Sequence, residues 1–464
     1  MVLYRSDLTI ILGNFFWTMK YMGMIFFVSV IVSLLAMEFT LIPGFAAIGL
    51  AVVLVSNFMK GVIKENEDGT LRHAMMTVAL VWIAMSILGA IPFVLYVDLP
   101  WIDAVFESVS AWTTTGFTVI SDVESVPMTI LFWRSLMQWF GGIGLVVAAL
   151  TGVLGMGGSL YIAEAREDRI RPNIMNTAKS IWWIYLLYTV LGVVLLVMAG
   201  MPLFDSVNHS MTALATGGMS VKNASIGAYD SVFIEIVMML LMMLGGIRFL
   251  SHYRLLRGEK EKFIRDAQIF GIILIIIASC ILMSPWMELR YSAFHVISAV
   301  TSTGFGTQDI TAWNPFPVVV IIMVMLIGGS SGSTAGGIKV FRVGVALKSL
   351  YWNLRKISTP HMVIVKKFGT QKFDDDHIRS IMTFIILYLI VVAIGVGVLV
   401  FQGYPLTESI FDVVSAEGNM GLTMGLANGD MTFIGKGMLI INMLTGRLEI
   451  WSLLMLLGSV FLRK

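Results

Sequence analysis

Apolar residues in this chain gather into long runs rather than alternating with polar ones. Ten runs are of the order of the roughly 20 residues that a helix needs to cross a hydrocarbon core of about 30 Å. They lie at 15–37, 41–59, 74–97, 129–154, 180–199, 232–250, 269–283, 318–340, 378–401 and 433–457. Between them fall shorter, moderately apolar segments at 101–113, 203–215, 289–302 and 406–417, too short to span and too helix-like for free loops. A re-entrant helix followed by non-helical backbone is tolerated at membrane depth only where it is buried in protein or lines water. Four such segments around one axis would make that lining.

After the first two spans, the order becomes span, short segment ending in a Thr/Gly cluster, span, basic loop, and it occurs four times. The clusters are SAWTTTGFT around Gly116, ALATGGMS around Gly217, SAVTSTGFGT around Gly304 and SAEGNMGLT around Gly421. Phe106, Phe294 and Phe411 lie ten residues before their glycines, and Ser110, Ser298 and Ser415 lie six before. Counted from Gly217, Val207 takes the Phe place and the serine slips by one. Internal repeats decide architecture. The expected fold is an all-α membrane protein with four pseudo-repeated helix, pore-helix, filter-loop, helix units around a central pore, plus two extra N-terminal transmembrane helices. The helix pair occupies 1–72, and the pore repeats occupy 73–172, 173–262, 263–372 with an intramembrane gating loop, and 373–464.

Composition agrees, since 57% hydrophobic and 13% charged residues cannot coat a soluble chain of 464 residues. A net charge of +2 gives no basis for nucleic-acid binding, but the placement of charge is informative. Lys60, Lys64 and Arg72, then Arg166, Arg169, Arg171 and Lys179, then Arg254, Arg257, Lys260, Lys262 and Arg265, and a cluster at 342–379 alternate with loops whose basic residues are Lys222 and Arg290. The positive-inside rule puts the basic loops and both termini in the cytoplasm. The opposite side carries Asp98, Asp103, Glu107, Asp122, Glu124, Asp205, Glu288, Asp309, Glu408, Asp412, Glu417 and Asp430. Taken singly these read as solvated loop charges; together they suggest an acidic vestibule that concentrates cations. The one cysteine, Cys280, lies in an apolar run, so neither an intrachain disulfide nor a thiolate cluster is expected.

Dehydrating a cation takes a ring of oxygens, and backbone carbonyls supply it without fixed charge. Glycine reaches the positive φ such loops need without a Cβ penalty. The expected lining is Thr114, Thr115, Gly116, Thr216, Gly217, Thr303, Gly304, Asn419, Met420 and Gly421. A half-helix ending just before each loop aims its partial negative charge at the cavity below. A lone TTG is more often a membrane turn, but four in register are not.

These residues resemble the Trk/Ktr/HKT superfamily of potassium uptake pores, and within it the bacterial Trk membrane subunits, over essentially the whole chain. The likeness rests on the four loops, on FWRSLMQWFGGIG (132–144), on GGSSGSTAGGIKV (328–340) and on NMLTGRLE (442–449). The family's filter glycines map onto Gly116, Gly217, Gly304 and Gly421, and glycine at the first of them implies preference for potassium over sodium. The resemblance further implies potassium uptake across the bacterial inner membrane and a homodimer with one pore per chain. It also implies a separate cytosolic ring of nucleotide-binding subunits, of NAD, ATP or ADP type, docked on the basic loops. Two departures stand out: GNMGLTMG in the fourth loop is nearer the Ktr branch, and Ser330 and Ser331 replace a frequent Cys-Ala pair.

Residues 328–337 are entirely Gly, Ser, Thr and Ala, a poor helix former. Small-residue helix packing through Gly328, Gly332 and Gly336 is one reading; a phosphate loop fails because Ile338 precedes Lys339. The resemblance implies an unwound gate under the filter, with Gly328, Gly329, Gly332, Ser333, Thr334, Gly336, Gly337, Lys339 and Arg447 as its residues. Arg447 lies inside the last run, where an unpartnered charge costs several kcal/mol, so it is expected to bond the loop carbonyls or repel cations. Arg134, Glu235 and Glu449 also lie in or near spans, and snorkelling accounts for Arg248 and Lys339. His209 and His295, on the second and third half-helices, read as packing histidines ahead of pH sensors.

Repeats sharing one orientation favour a pore over an inverted-repeat transporter, with an H+- or Na+-coupled symporter of the same fold as the alternative. An intramembrane enzyme would need a nucleophile and base or a metal cluster, and no such motif occurs. The expected ligand is the potassium ion alone.

Overall fold

The computed structural model describes residues 5–63, 70–150, 174–359, 364–369 and 371–461. Lys64, Arg166, Arg169, Arg171 and the final residues 151–154 of the fourth expected span lie outside them. Helices α1 (Arg5–Leu35) and α2 (Ile42–Val62) come first. The first unit holds α3 (Leu71–Val97), α4 (Trp101–Trp112) and α5 (Met128–Leu150). The second holds α6 (Ile174–Met198), α7 (Leu203–Leu214) and α8 (Val232–Gly246), followed by α9 (Phe249–Leu256) and α10 (Lys260–Ile264). The third holds α11 (Ala267–Met283), α12 (Leu289–Val300) and α13 (Pro315–Ile327), and α14 (Val340–Ser358) leaves it. A two-residue hairpin, Lys367–Phe368 with Gln371–Lys372, precedes α15 (Asp375–Phe401), α16 (Leu406–Glu417), α17 (Phe433–Arg447) and α18 (Trp451–Phe461).

Local chemistry sets many of these ends. Pro100, Pro202 and Pro405 are the N-caps of α4, α7 and α16, in the extended conformation near φ −53 to −62° and ψ 146°. Proline stops an approaching helix and is pre-set to begin a new one. Side chains of Ser231, Asp266, Asn314, Asp374 and Thr432 accept first-turn N–H groups of α8, α11, α13, α15 and α17.

The units close into a ring. The second long helix of each packs on the pore helix of the next: α5 on α7, α8 on α12, α13 on α16, and α17 back on α4. Helix α1 packs on α2, α3 and α5, placing the N-terminal pair outside the first unit. Outward faces carry exposed Ile31, Leu54, Val190, Phe270, Ile281 and Phe401, as a lipid-facing wall requires.

Helices α1 (with the turn-and-helix run Phe39–Val62 for α2), α3, α6 and α15 are long and apolar enough to cross a bilayer. Three of the ten expected runs are broken, the third-unit one where the small-residue segment is expected to unwind and the other two where no break is expected. The 232–250 run breaks between α8 and α9, which are bent by 105°. The 318–340 run is helical only to Ile327, and the 433–457 run breaks between α17 and α18, where Glu449 and Ile450 have φ of +52° and +61°. Broken backbone survives at this depth because neighbouring helices satisfy it.

Candidate permeation pathway

Each pore helix ends in the same backbone pattern. Thr114, Thr216, Ser302 and Asn419 have φ of +52 to +56°, and two residues later Gly116, Gly218, Gly304 and Gly421 have φ of +73 to +98°. The intervening N–H groups of Thr115, Gly217, Thr303 and Met420 donate to the carbonyls of Ser110, Thr212, Ser298 and Ser415 at 2.8–2.9 Å. The structure thus moves the second glycine of the register from Gly217 to Gly218, and Gly217 falls in line with Thr115, Thr303 and Met420. Tandem glycines left the count ambiguous; the hydroxyl of Thr212, six residues before Gly218, is the signal that resolves it.

The four loops touch in a closed circle. A Cβ built on Gly116 would lie under 3.0 Å from the Gly217 carbonyl oxygen. The same holds for Gly218 against Thr303, Gly304 against Met420, and Gly421 against Thr115. Real Cβ atoms do not come so close, so these four positions need glycine for space as well as for φ. Gln138 of α5 reaches across to the second loop, donating to Gly217 O at 2.6 Å and accepting from Met219 N–H at 3.1 Å.

Next to the loops, glycines of the second helices, or just past the end of one, meet the ends of the pore helices. Gly141, Gly245 and Gly446 press on the carbonyls of Trp112, Leu214 and Glu417, and Gly329 stands off Val300 O at 3.5 Å from its notional Cβ. The next position is Gly142, Gly246, Ser330 and Arg447, three small residues and one long cation.

The 328–339 segment is non-helical, with φ of +70°, +78°, +79° and +80° at Gly328, Gly332, Gly337 and Lys339. Helical small-residue packing is therefore excluded there. Ser330 and Thr334 N–H donate to Gly246 and Gly245 carbonyls at 3.0 and 3.3 Å, and Val340 N–H donates to Gly329 O at 3.0 Å. The Thr334 hydroxyl donates to Gly245 O at 2.9 Å and accepts from the Thr216 hydroxyl at 3.1 Å. Ser333 Oγ donates to Ser330 O at 2.7 Å, and Gly336 lies against Gly418 O of the fourth unit.

Arg447 Nη1 donates to Thr334 O at 3.0 Å, and its Nη2 donates to Gly141 O and Gly142 O at 2.6 and 2.9 Å. One guanidinium thus joins the third-unit loop to the first unit, diagonally opposite in the ring. Lys339 and Arg248 have carboxylates beside them. Lys339 lies 3.9 Å from Glu449, which takes Arg342 at 2.6 Å, and Arg248 is buried 3.7 Å from Asp266.

The acidic vestibule needs a correction. Asp103, Glu107, Asp412 and Glu417 are buried in pore helices. Asp103 pairs with Lys436 of α17, and Glu107 takes Arg134 Nε at 2.7 Å. At the mouth, Lys222 Nζ donates to Glu124 at 2.9 Å and Asn223 donates to Asp122 at 2.8 Å, tying the second unit to the first. Those bonds hold both carboxyls below their ordinary values and Lys222 above its own. Arg290 joins α12 to Glu235 and Asp230 of the second unit at 2.7 and 3.1 Å. Among the described residues no group of three or more His, Cys, Asp or Glu could hold a metal ion.

A profile of the TrkH family, described as cation transport protein, matches residues 43–277 and 272–460. An uncharacterised cation transporter of Methanocaldococcus jannaschii is 39% identical over 402 residues, covering 85% of this chain and 84% of that protein. The Trk system potassium uptake protein TrkH of Escherichia coli K12 is 33% identical over 425 residues, covering 86% and 88%. The crystal structure of the potassium transporter TrkH from Vibrio parahaemolyticus superposes with a TM-score of 0.87 at 27% identity, covering 99% of this chain and 100% of that one.

Proposed function

The chain belongs to the TrkH family of cation transport proteins, and on that premise we propose that it is a transporter, not an enzyme, that takes up potassium through the ring of four filter loops. The observation that carries this reading is the closed circle of glycine-to-carbonyl contacts in one register. A ring of equivalent carbonyls can replace the hydration shell of a potassium ion, and the four pore helices end at it with their negative dipole ends. The ion is cargo, not a resident cofactor. Carbonyl and hydroxyl oxygens of Thr114, Thr115, Gly116, Thr216, Gly217, Gly218, Thr303, Gly304, Asn419, Met420 and Gly421 form its lining.

The 328–337 segment acts as the gate in this reading, with Arg447 as its latch. Burial of the loop and the three carbonyls on one guanidinium support it. The protein sits in the bacterial inner membrane with both termini cytoplasmic, as a homodimer regulated by a separate cytosolic nucleotide-binding subunit docked on the basic loops. Charge asymmetry and the family resemblance support these points. Side-specific labelling of cysteines at the termini tests the orientation, and the mass of the solubilised particle tests the dimer.

The decisive experiment is potassium against sodium flux through the purified protein in liposomes. Preferred potassium entry down its own gradient is expected. Equal flux of both ions would end the filter reading, and potassium entry that stops when a proton or sodium gradient is collapsed would replace the pore with a symporter.

A further inference from the structure

Nine residues before the register glycine, every unit carries an ionisable side chain: Glu107, His209, His295 and Asp412. All four are fully buried on the pore helices, where each of these residue types is unusual without a partner. Their partners lie just past the glycines. Glu107 accepts from the Thr118 hydroxyl at 3.1 Å and Val119 N–H at 3.0 Å. Asp412 accepts from the Thr423 hydroxyl at 2.7 Å and Met424 N–H at 2.8 Å. His209 Nε2 meets the Ser220 hydroxyl at 2.9 Å, and His295 Nε2 meets Thr307 N–H at 3.4 Å. The tautomer follows from the other nitrogen: each Nδ1 lies 2.9 Å from a main-chain carbonyl, of Asp205 or Tyr291, which can only accept. In both rings Nε2 is therefore left as an acceptor.

We propose that Glu107, His209, His295 and Asp412 are positioning residues of the filter. Each ties the strand leaving its loop to the half-helix that enters it, so that four loops hold one ring; this rests on the filter reading above. Two units use a carboxylate and two a neutral imidazole, and the imidazoles respond differently to a proton. The Ser220 hydroxyl can turn and accept from a charged His209. Thr307 offers a backbone N–H that can only donate, and it would face a second N–H on a charged His295. His295 is the tie that acid opens.

The Gln308 main-chain carbonyl also faces the imidazole and can accept an added proton, but it cannot restore the bond from Thr307 N–H, and no free carboxylate stands beside the ring. Glu235 of α8 is engaged by Arg290, which also reaches Asp230. Helix α11 offers Cys280 as its one titratable side chain and α13 offers none. In the loop, Asp309 accepts from Thr311, and Trp313 lies edge-on to the imidazole at 4.7 Å. Tyr291, on the same helix, meets the ring through its carbonyl.

The test is the potassium-to-sodium flux ratio in liposomes as the outer pH falls from about 8 to about 3, a window wide enough for a histidine lowered by burial. In the wild type the ratio should fall reversibly with acid. His295→Gln, whose amide oxygen can accept in place of Nε2, should rescue the ratio and hold it flat with pH. His295→Leu should hold the ratio, at every pH, about tenfold below the wild-type value at neutral pH, the scale of one lost buried hydrogen bond. His209→Gln should leave the acid response in place. An acid-insensitive wild type, an unchanged acid response in His295→Gln, or a wild-type ratio in His295→Leu overturns the assignment. If His295→Leu does not fold, His295→Gln decides alone. A wild type that selects no potassium at any pH sinks the filter reading instead.

Discussion

At the ring of loops the four units are interchangeable: Thr114, Thr216, Ser302 and Asn419 share one backbone conformation, and Gly116, Gly218, Gly304 and Gly421 share another. At the inner end the equivalent positions are Gly142, Gly246, Ser330 and Arg447, and the backbone around them differs in every unit. Helix α5 runs on to Leu150, α8 turns through 105° into α9, α13 gives way to a loop, and α17 stops at its arginine. In the filter-and-gate reading proposed above, the contrast follows from two tasks. Coordinating a bare ion takes a closed ring, so a fault in one unit spoils all four. Obstructing a passage takes one movable element and one anchor, and equivalence would only multiply the parts to be moved.

The largest effect should come from breaking the ring where it is tightest. Gly304→Ala puts a Cβ into the Met420 carbonyl at a φ of +87° and should reduce selective potassium uptake at least a hundredfold, a loss of about 3 kcal/mol from strain and clash. Gly200→Ala is the control, having φ of +96° with no atom within 4 Å of the added Cβ, and should leave uptake near normal. Equal loss in both would mean that backbone strain, not ring closure, is what the glycine relieves.

Next in size is the choice between tandem glycines. Gly116→Ser and Gly218→Ser should weaken discrimination against sodium to a similar degree. Gly217→Ser should do so less, because its Cβ meets the movable Gln138 side chain rather than a carbonyl and its φ is not positive. Relative potassium and sodium uptake at matched expression measures this, and a larger effect at Gly217 would restore the other register.

At the inner end the change should be in rate and not in choice of ion. Shortening the 328–337 loop should raise flux with the potassium-to-sodium ratio kept, and Arg447→Ala should do the same more weakly. Since Arg447 acts on the loop through Thr334 O, the double change should fall short of the sum by about 0.5–3 kcal/mol. Strict additivity, or lost selectivity, would mean that the segment is only a packing surface.

The smallest effect is at the mouth. Glu124, held below its ordinary value by Lys222, contributes stability that is present above the unfolded-state value and lost as pH falls through the lowered one. Glu124→Gln should therefore shift the thermal midpoint slightly at neutral pH and not at all in strong acid. A difference that persists in acid would point to packing rather than charge.

Much of this architecture was legible because it is written locally. The half-helices at 101–113, 203–215, 289–302 and 406–417 emerge as α4, α7, α12 and α16 with ends within two residues, marked by their short apolar stretches and the Thr/Gly clusters that follow. The run of small residues at 328–337 has no side chains to hold a helix, and it is not one. Tertiary structure alone decided the rest. The ring closes through Gly421 against Thr115, residues far apart in the chain, and no local pattern encodes which carbonyl meets which glycine. The buried places of Asp103, Glu107 and Arg248 depend on Lys436, Arg134 and Asp266 arriving from other helices. An apolar run likewise reads the same whether it crosses the membrane whole or breaks at Gly246 or Arg447. Hydrophobicity reports only that a segment avoids water, while the surrounding helices determine whether its backbone bonds stay within one helix.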